Sequence, residues 1–171
     1  KIFDHFNDKT VLSIGAGEIA QLVLQHFTKL AAGKLLICNR DSHKAQDLAN
    51  EFNGAPAPFE QLTEHLTKAD IVITSTASPH PIITRQVYEP LLKQRRYRPI
   101  FIIDLAVPRD VEASVGDLEN VYLYNIDDLQ HVVSTTQSQR TDAVESARAI
   151  VTLQVEEFLA WHRTREMGPA I

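Results

Sequence analysis

An apolar run from Thr10 to Ile14 stops at Gly15-Ala16-Gly17-Glu18-Ile19-Ala20, and a helical repeat starts immediately behind it. Thr10 to Ile14 reads as a strand whose buried residues are Val11, Leu12 and Ile14. Ile19 to Leu30 reads as a helix, with Ile19, Leu22, Val23, Phe27 and Leu30 recurring at helical spacing. Between them the first glycine permits a tight turn that a side chain would forbid, and the second lets a diphosphate approach the backbone. Ala20 is small enough for the helix to pack close to the strand. The N–H groups that open a helix lack partners, and the macrodipole there favours negative charge. Gly15, Ala16, Gly17, Glu18, Ile19 and Ala20 are therefore the expected cradle for the phosphates of a dinucleotide.

The next strand, Leu35 to Asn39, follows Gly33, read as a helix terminator, and ends about twenty residues past the glycine turn, where an adenosine ribose would lie. A carboxylate at that point would accept from both ribose hydroxyls and repel a 2′-phosphate. The chain instead offers Asn39, a neutral amide, and Arg40, whose planar fork of donors suits phosphate. These residues favour NADP over NAD. Asp41 could serve as a ribose acid if the strand ran further, but reads better as the cap of a helix from Ser42 to Phe52. Ser42 and Lys44 are either further donors to the phosphate or ordinary first-turn residues. Arg40 itself could be a solvated loop charge.

Downstream, apolar strands alternate with helical patterns, the mark of a parallel sheet covered on both faces. Ala55 to Pro58 is a short strand and Glu60 to Thr67 a short helix. Asp70 to Ser75 is a strand, and Thr84 to Arg95 a helix interrupted at Pro90. Ile100 to Leu105 and Val121 to Asn125 complete the set. The fold class expected is α/β, a doubly wound parallel sheet of the Rossmann kind, followed by a long C-terminal helix. That helix is read from Asp127 onward through Ala143, Ala147, Ile150, Val151, Phe158 and Trp161, capped by Asp127 or Asp128. It either folds back on the sheet or reaches another domain or subunit.

Ligands of open parallel sheets collect beyond the carboxyl ends of the strands, and two loops there stand out. Thr74-Ser75-Thr76-Ala77-Ser78-Pro79 clusters small hydroxyl residues that let a ribose approach and can bond it or a phosphate. Its plainer reading is a turn built from the usual Ser, Thr and Pro. In Leu105-Ala106-Val107-Pro108-Arg109-Asp110, the apolar Ala106, Val107 and Pro108 could keep water from one face of a nicotinamide. Asp104 needs partners if it ends a buried strand, and backbone donors of its own loop would supply them. Arg109 and Asp110 are read as pairing on the surface. His80 is read as exposed rather than as a general acid. Lys93, Arg95, Arg96 and Arg98 are read as cations at a helix end rather than a nucleic-acid patch.

The composition, 44% hydrophobic and 23% charged over 171 residues, is that of a globular chain, and a net charge of −5 argues against broad polyanion binding. One cysteine leaves no disulfide framework and fits a reducing, cytoplasmic setting. No apolar run reaches the length of a membrane span. The absence of an initiating methionine makes the chain read as a piece of a larger protein.

Taken together, Gly15-Ala16-Gly17-Glu18, Cys38-Asn39-Arg40, Ser75 to Pro79, Asp104 to Arg109 and Tyr124 to Leu129 resemble glutamyl-tRNA reductase, over about Lys1 to Arg163. The resemblance implies that residues 1–126 form that family's central NADPH-binding domain. Residues 127–171 would begin the long helix leading to a dimerisation domain, and the N-terminal catalytic domain would lie outside the chain. It further implies a full protein that takes the glutamyl group from its tRNA, holds it as a thioester on a cysteine and reduces it with NADPH to glutamate-1-semialdehyde, toward tetrapyrroles. The partners implied are glutamyl-tRNA, met by domains outside this chain, and a second copy in a homodimer. The family's nucleophile stands in a Cys-Asn-Arg sequence of the N-terminal domain. Cys38-Asn39-Arg40 repeats those letters at the adenosine corner, the wrong end of an extended cofactor for hydride transfer, so Cys38 is read as a small buried strand residue. No catalytic residue and no metal site is assigned, and the chain alone is expected to bind NADPH without turning over glutamyl-tRNA. Two alternatives stand beside this reading: a shikimate-dehydrogenase-like NADP oxidoreductase domain, and a non-catalytic NADP-sensing module.

Overall fold

The computed structural model describes residues 5–130. Six strands form one parallel sheet: β1 (Thr10–Ile14), β2 (Lys34–Asn39), β3 (Ala55–Pro58), β4 (Ile71–Thr74), β5 (Ile100–Asp104) and β6 (Val121–Asn125). Their order is β3-β2-β1-β4-β5-β6, so the chain winds outward from β1 in both directions, the doubly wound arrangement expected. Leu12, Ile14, Leu36, Cys38 and Val72 point into one core, and Val11, Leu35, Ile37, Ile71 and Ile73 into a second on the other face. Burial on both faces is why these strands read as continuous apolar runs rather than alternating ones.

Helices α1 (Glu18–Lys29) and α2 (Ser42–Glu51) supply Leu24, Ala45, Leu48 and Ala49 to the second core. Helices α3 (Leu62–Lys68), α4 (Arg85–Tyr88) and α5 (Leu91–Gln94) cover the first with Leu62, Leu66, Tyr88, Leu91 and Leu92. The break between α4 and α5 falls at Pro90, as its ring requires, and Thr84 caps α4 by accepting from the Val87 N–H at 3.3 Å. Two 3-10 turns, Phe59–Gln61 and Ala113–Asp117, were not foreseen.

Several expectations need correction. The buried line of α1 is Ala20 and Leu24, flanked by the partly buried Val23 and Phe27, whereas Ile19, Leu22 and Leu30 face outward, Leu22 at 65% exposure. The end of α1 is not made by Gly33 either. Ala31 takes the left-handed conformation at φ 52° just past the helix, and Gly33 is needed because a Cβ there would run into the Asn7 carbonyl. Arg95 does not belong to a solvent-facing basic cluster. It is 1% exposed, and its Nη1 donates to the carbonyls of Leu66, Thr67 and Ala69 at 2.6, 3.0 and 2.6 Å, satisfying the open C-terminal end of α3. Nearby, Arg98 pairs with Asp70 at 2.9 Å.

The chain divides into two compact units, Lys1–Ile126 and Asp127–Ile171. Residues 126–130 are helical, so Asp127 and Asp128 sit inside a first turn rather than capping it. The long helix read from Ala143 to Trp161 lies outside the described residues.

Candidate functional site

The carboxyl ends of β1, β2 and β4 frame a cavity of about 360 Å³, within the range of small-molecule sites. Gly15, Ala16 and Gly17 form one wall, Asn39, Arg40 and Lys44 a second, and Ser75, Thr76, Ala77 and Ser78 a third. Three loops singled out in the sequence thus meet in one place. Ile14, Phe59 and Ile82 complete the lining, and none of these three was foreseen. Glu18, Ile19, Ala20, Ser42, Val107 and Pro108 are not among the lining residues. Ala20 is buried behind the glycine turn and lets α1 lie close to the sheet, while Ser42 is exposed at the start of α2. Val107, joined to Pro108 by a cis peptide, is 80% exposed, and Ala106 is buried.

Gly15 adopts φ +113°, and a Cβ there would come within 2.7 Å of the Ser75 backbone oxygen, so the β1 and β4 loops touch only because no side chain intervenes. Gly17 differs. Its backbone is extended, and a Cβ would meet nothing within 4 Å. No contact inside the described protein requires glycine at that position. Gly17 is also the N-cap of α1 and offers no side-chain cap, which leaves the first-turn N–H groups available to an incoming anion.

Asp41 is occupied as a cap. Its Oδ1 accepts from the N–H groups of His43 and Lys44 at 3.0 and 3.3 Å, which fixes the start of α2, and Asp41 is not among the residues lining the cavity. Asn39 donates from Nδ2 to the Asp41 carbonyl at 3.2 Å. The Arg40 guanidinium carbon lies 5.4 Å from the centroid of the Phe59 ring. No residue lining the cavity is acidic, and Arg40 and Lys44 bring two positive charges to it.

The hydroxyl loop is more internally committed than its composition indicates. Thr76 donates its hydroxyl proton to Asp110 Oδ1, its N–H bonds Asp110 Oδ2 at 2.8 Å, and Ser78 Oγ donates to the His80 carbonyl at 2.7 Å. These two side chains set the shape of the wall. Ser75 Oγ, buried at the same wall, has no hydrogen-bond partner. Asp110, read as a surface partner of Arg109, is instead buried and ties the β4 loop to the β5 loop. Asp104 behaves as its position demands, accepting from Thr74 Oγ1, the Ala106 N–H and the Val111 N–H, each at 3.0 Å. His80 is exposed.

Cys38 is fully buried in β2 and is not among the cavity-lining residues; desolvation first, then the charge of Glu60, pushes its thiol up to about 11. It is a packing residue. No group of metal-ligating side chains occurs among the described residues. An orphaned hydroxyl, open space above Gly17 and an acid-free, doubly basic lining together fit a phosphorylated dinucleotide.

Comparison with known proteins agrees with this geometry. The family described as shikimate / quinate 5-dehydrogenase matches residues 1–132. The chain belongs to that family. Within the shikimate / quinate 5-dehydrogenase family, its relatives along the full 171 residues are glutamyl-tRNA reductases, which bears out the resemblance read from the five segments. It is 46% identical to the glutamyl-tRNA reductase of Trichlorobacter lovleyi over all of this chain and 39% of that protein. It is also 46% identical to that of Methylococcus capsulatus over 96% of this chain and 39% of that protein. The solved glutamyl-tRNA reductase of Methanopyrus kandleri superposes with a TM-score of 0.77 at 33% identity, covering 96% of this chain and 42% of that one. The nucleotide-binding domain of the Thermoplasma volcanium enzyme, at 19% identity and a TM-score of 0.61 over 78% of this chain and 86% of that one, shares the fold. The chain spans about two-fifths of the length of the curated relatives it matches.

Proposed function

We infer that the cavity binds NADPH and that the chain is the cofactor domain of a glutamyl-tRNA reductase. In this reading residues 1–126 are the NADP-binding unit. Residues 127–171 open a helix toward a dimerisation domain, and the whole protein is a homodimer of the cytoplasm. The glutamyl-tRNA and the nucleophilic cysteine are met by parts outside this chain, since Cys38 is buried and holds its proton well above neutral pH. When bound, the cofactor supplies hydride to reduce an enzyme-bound glutamyl thioester to glutamate-1-semialdehyde, a precursor of tetrapyrroles.

The residues of this chain would divide the binding. Gly15 and Gly17 bring the backbone to the diphosphate, with Ala16, Glu18, Ile19 and Ala20 forming the turn that aims the N–H groups of α1 at it. Arg40, with Lys44 beside it and Asn39 and Ser42 at the rim, would take the 2′-phosphate. Ser75, Thr76, Ala77 and Ser78 would floor the ribose and diphosphate, and Val107 and Pro108 would shield the nicotinamide. The observation that carries the reading is the corner at the end of β2: Arg40 lines the cavity, while Asp41, the carboxylate of the adjoining turn, caps α2 and is not among the lining residues.

Calorimetric titration with NADPH and NADH tests it. Tighter binding of NADPH, lost selectively in Arg40→Ala, is the expected result; equal affinity for the two cofactors would remove its basis. The chain by itself should not reduce glutamyl-tRNA, and measurable turnover would place the nucleophile inside it after all.

A further inference from the structure

The Arg40 side chain makes no hydrogen bond or ion pair among the described residues, yet it has one defined neighbour, the Phe59 ring 5.4 Å from its guanidinium carbon. The sheet dictates this pairing. Asn39 of β2 stands opposite Pro58 of β3 in the parallel register, so the next residue of each strand, Arg40 and Phe59, leaves the sheet side by side. Phe59 then opens the 3-10 turn Phe59–Gln61 and rests, partly buried, against the core beneath α3. The ring is held from behind.

How an arginine is held decides what it can still do. A carboxylate neighbour would take the N–H groups of the fork, which are the groups a phosphate needs. An aromatic face takes only the flat face of the guanidinium, while its five N–H donors lie in the plane and remain free. An arginine already placed also has fewer rotamers to give up on binding. We propose that Phe59 is a positioning residue for Arg40 and, through it, sets the preference for a 2′-phosphorylated cofactor. The proposal rests on the NADPH reading above.

The test is a calorimetric comparison of wild type, Phe59→Leu and Arg40→Ala, and the double variant, each titrated with NADPH and with NADH. Leucine keeps the apolar contact with the core and removes the π face. Phe59→Leu should weaken NADPH by about two- to fivefold and leave NADH unchanged. In the Arg40→Ala background the same substitution should cost nothing further. Equal weakening of both cofactors would make Phe59 merely a wall of the cavity and overturn the proposal. So would an undiminished effect in the Arg40→Ala background, or no effect at all. If wild type itself shows no preference for NADPH, the cofactor reading fails first, and this proposal with it. Should Phe59→Leu not fold, Phe59→Met, also apolar and without a π face, carries the same comparison.

Discussion

Arg40 and Arg95 stand at opposite ends of the strands and are used in opposite ways. Arg40 follows the carboxyl end of β2, is exposed, and keeps its donors unspent beside a cavity. Arg95 lies near the amino ends of β4 and β5, is buried, and gives its donors to four backbone carbonyls, Leu66, Thr67, Ala69 and Pro99. Burial pulls its pKa below the usual arginine value, yet the carbonyl dipoles keep the cation acceptable there. One cation completes the fold and the other awaits a partner. The distinction lies in where the N–H groups go.

Exchanging the two cases is the strongest way to probe this difference. Arg95→Ala removes the donors from the carbonyls at the end of α3 and opens a void, and should lower stability by about 3–4 kcal/mol, read from urea melts. Its cofactor preference should stay as in wild type. Arg40→Ala should do the reverse, leaving stability within about 0.5 kcal/mol and weakening NADPH about 10- to 100-fold against an unchanged NADH, by calorimetry. If Arg40→Ala instead destabilised the fold, the contrast would collapse.

Cys38, two residues before Arg40, belongs with Arg95 on the buried side. Its folded pKa, about 11, exceeds the ordinary value of 9.0, so the neutral thiol is the stabilised form. Its contribution is complete below about pH 9 and is lost as pH rises toward 11. Wild type should therefore lose stability relative to Cys38→Ala on passing from pH 8 to 9.5, by less than about 1 kcal/mol. A flat difference would show that the thiol is less enclosed than β2 indicates. Smaller again is Arg98→Ala. Its pair with Asp70 is half exposed on the arginine side, and the loss should be about 0.5 kcal/mol and fade with added salt.

The inner strands β1, β2 and β4 were legible because they are buried on both faces and so appear as apolar runs bounded by turn residues, whereas the edge strands β3 and β6 are only partly buried. The break at Pro90 and the cap at Asp41 were legible because proline geometry and Asx capping act locally. Arg95 was not: its neighbours Lys93, Arg96 and Arg98 have the same charge, and only the three-dimensional position of the α3 carbonyls selects which one turns inward. The face of α1 was misassigned because Ile19, Leu22 and Leu30 lie at helical spacing as plausible as that of Ala20 and Leu24. Of the candidate site, the loops were legible from their glycines and hydroxyls. Phe59 was not, because its relation to Arg40 exists only through the register of β2 against β3. The inward commitment of Thr76 and Ser78 to Asp110 and the His80 carbonyl also left no trace in residue type.

Gly17 occupies the cap of α1 without capping it, where serine would satisfy an N–H of the first turn. With nothing within 4 Å of a Cβ there, the fold would accept that serine and gain a few tenths of a kcal/mol from it. The site stands in a less stable form than its backbone allows. Gly17→Ser should melt later than wild type and bind NADPH more weakly, so durability and coenzyme capture compete for one hydrogen atom's worth of space.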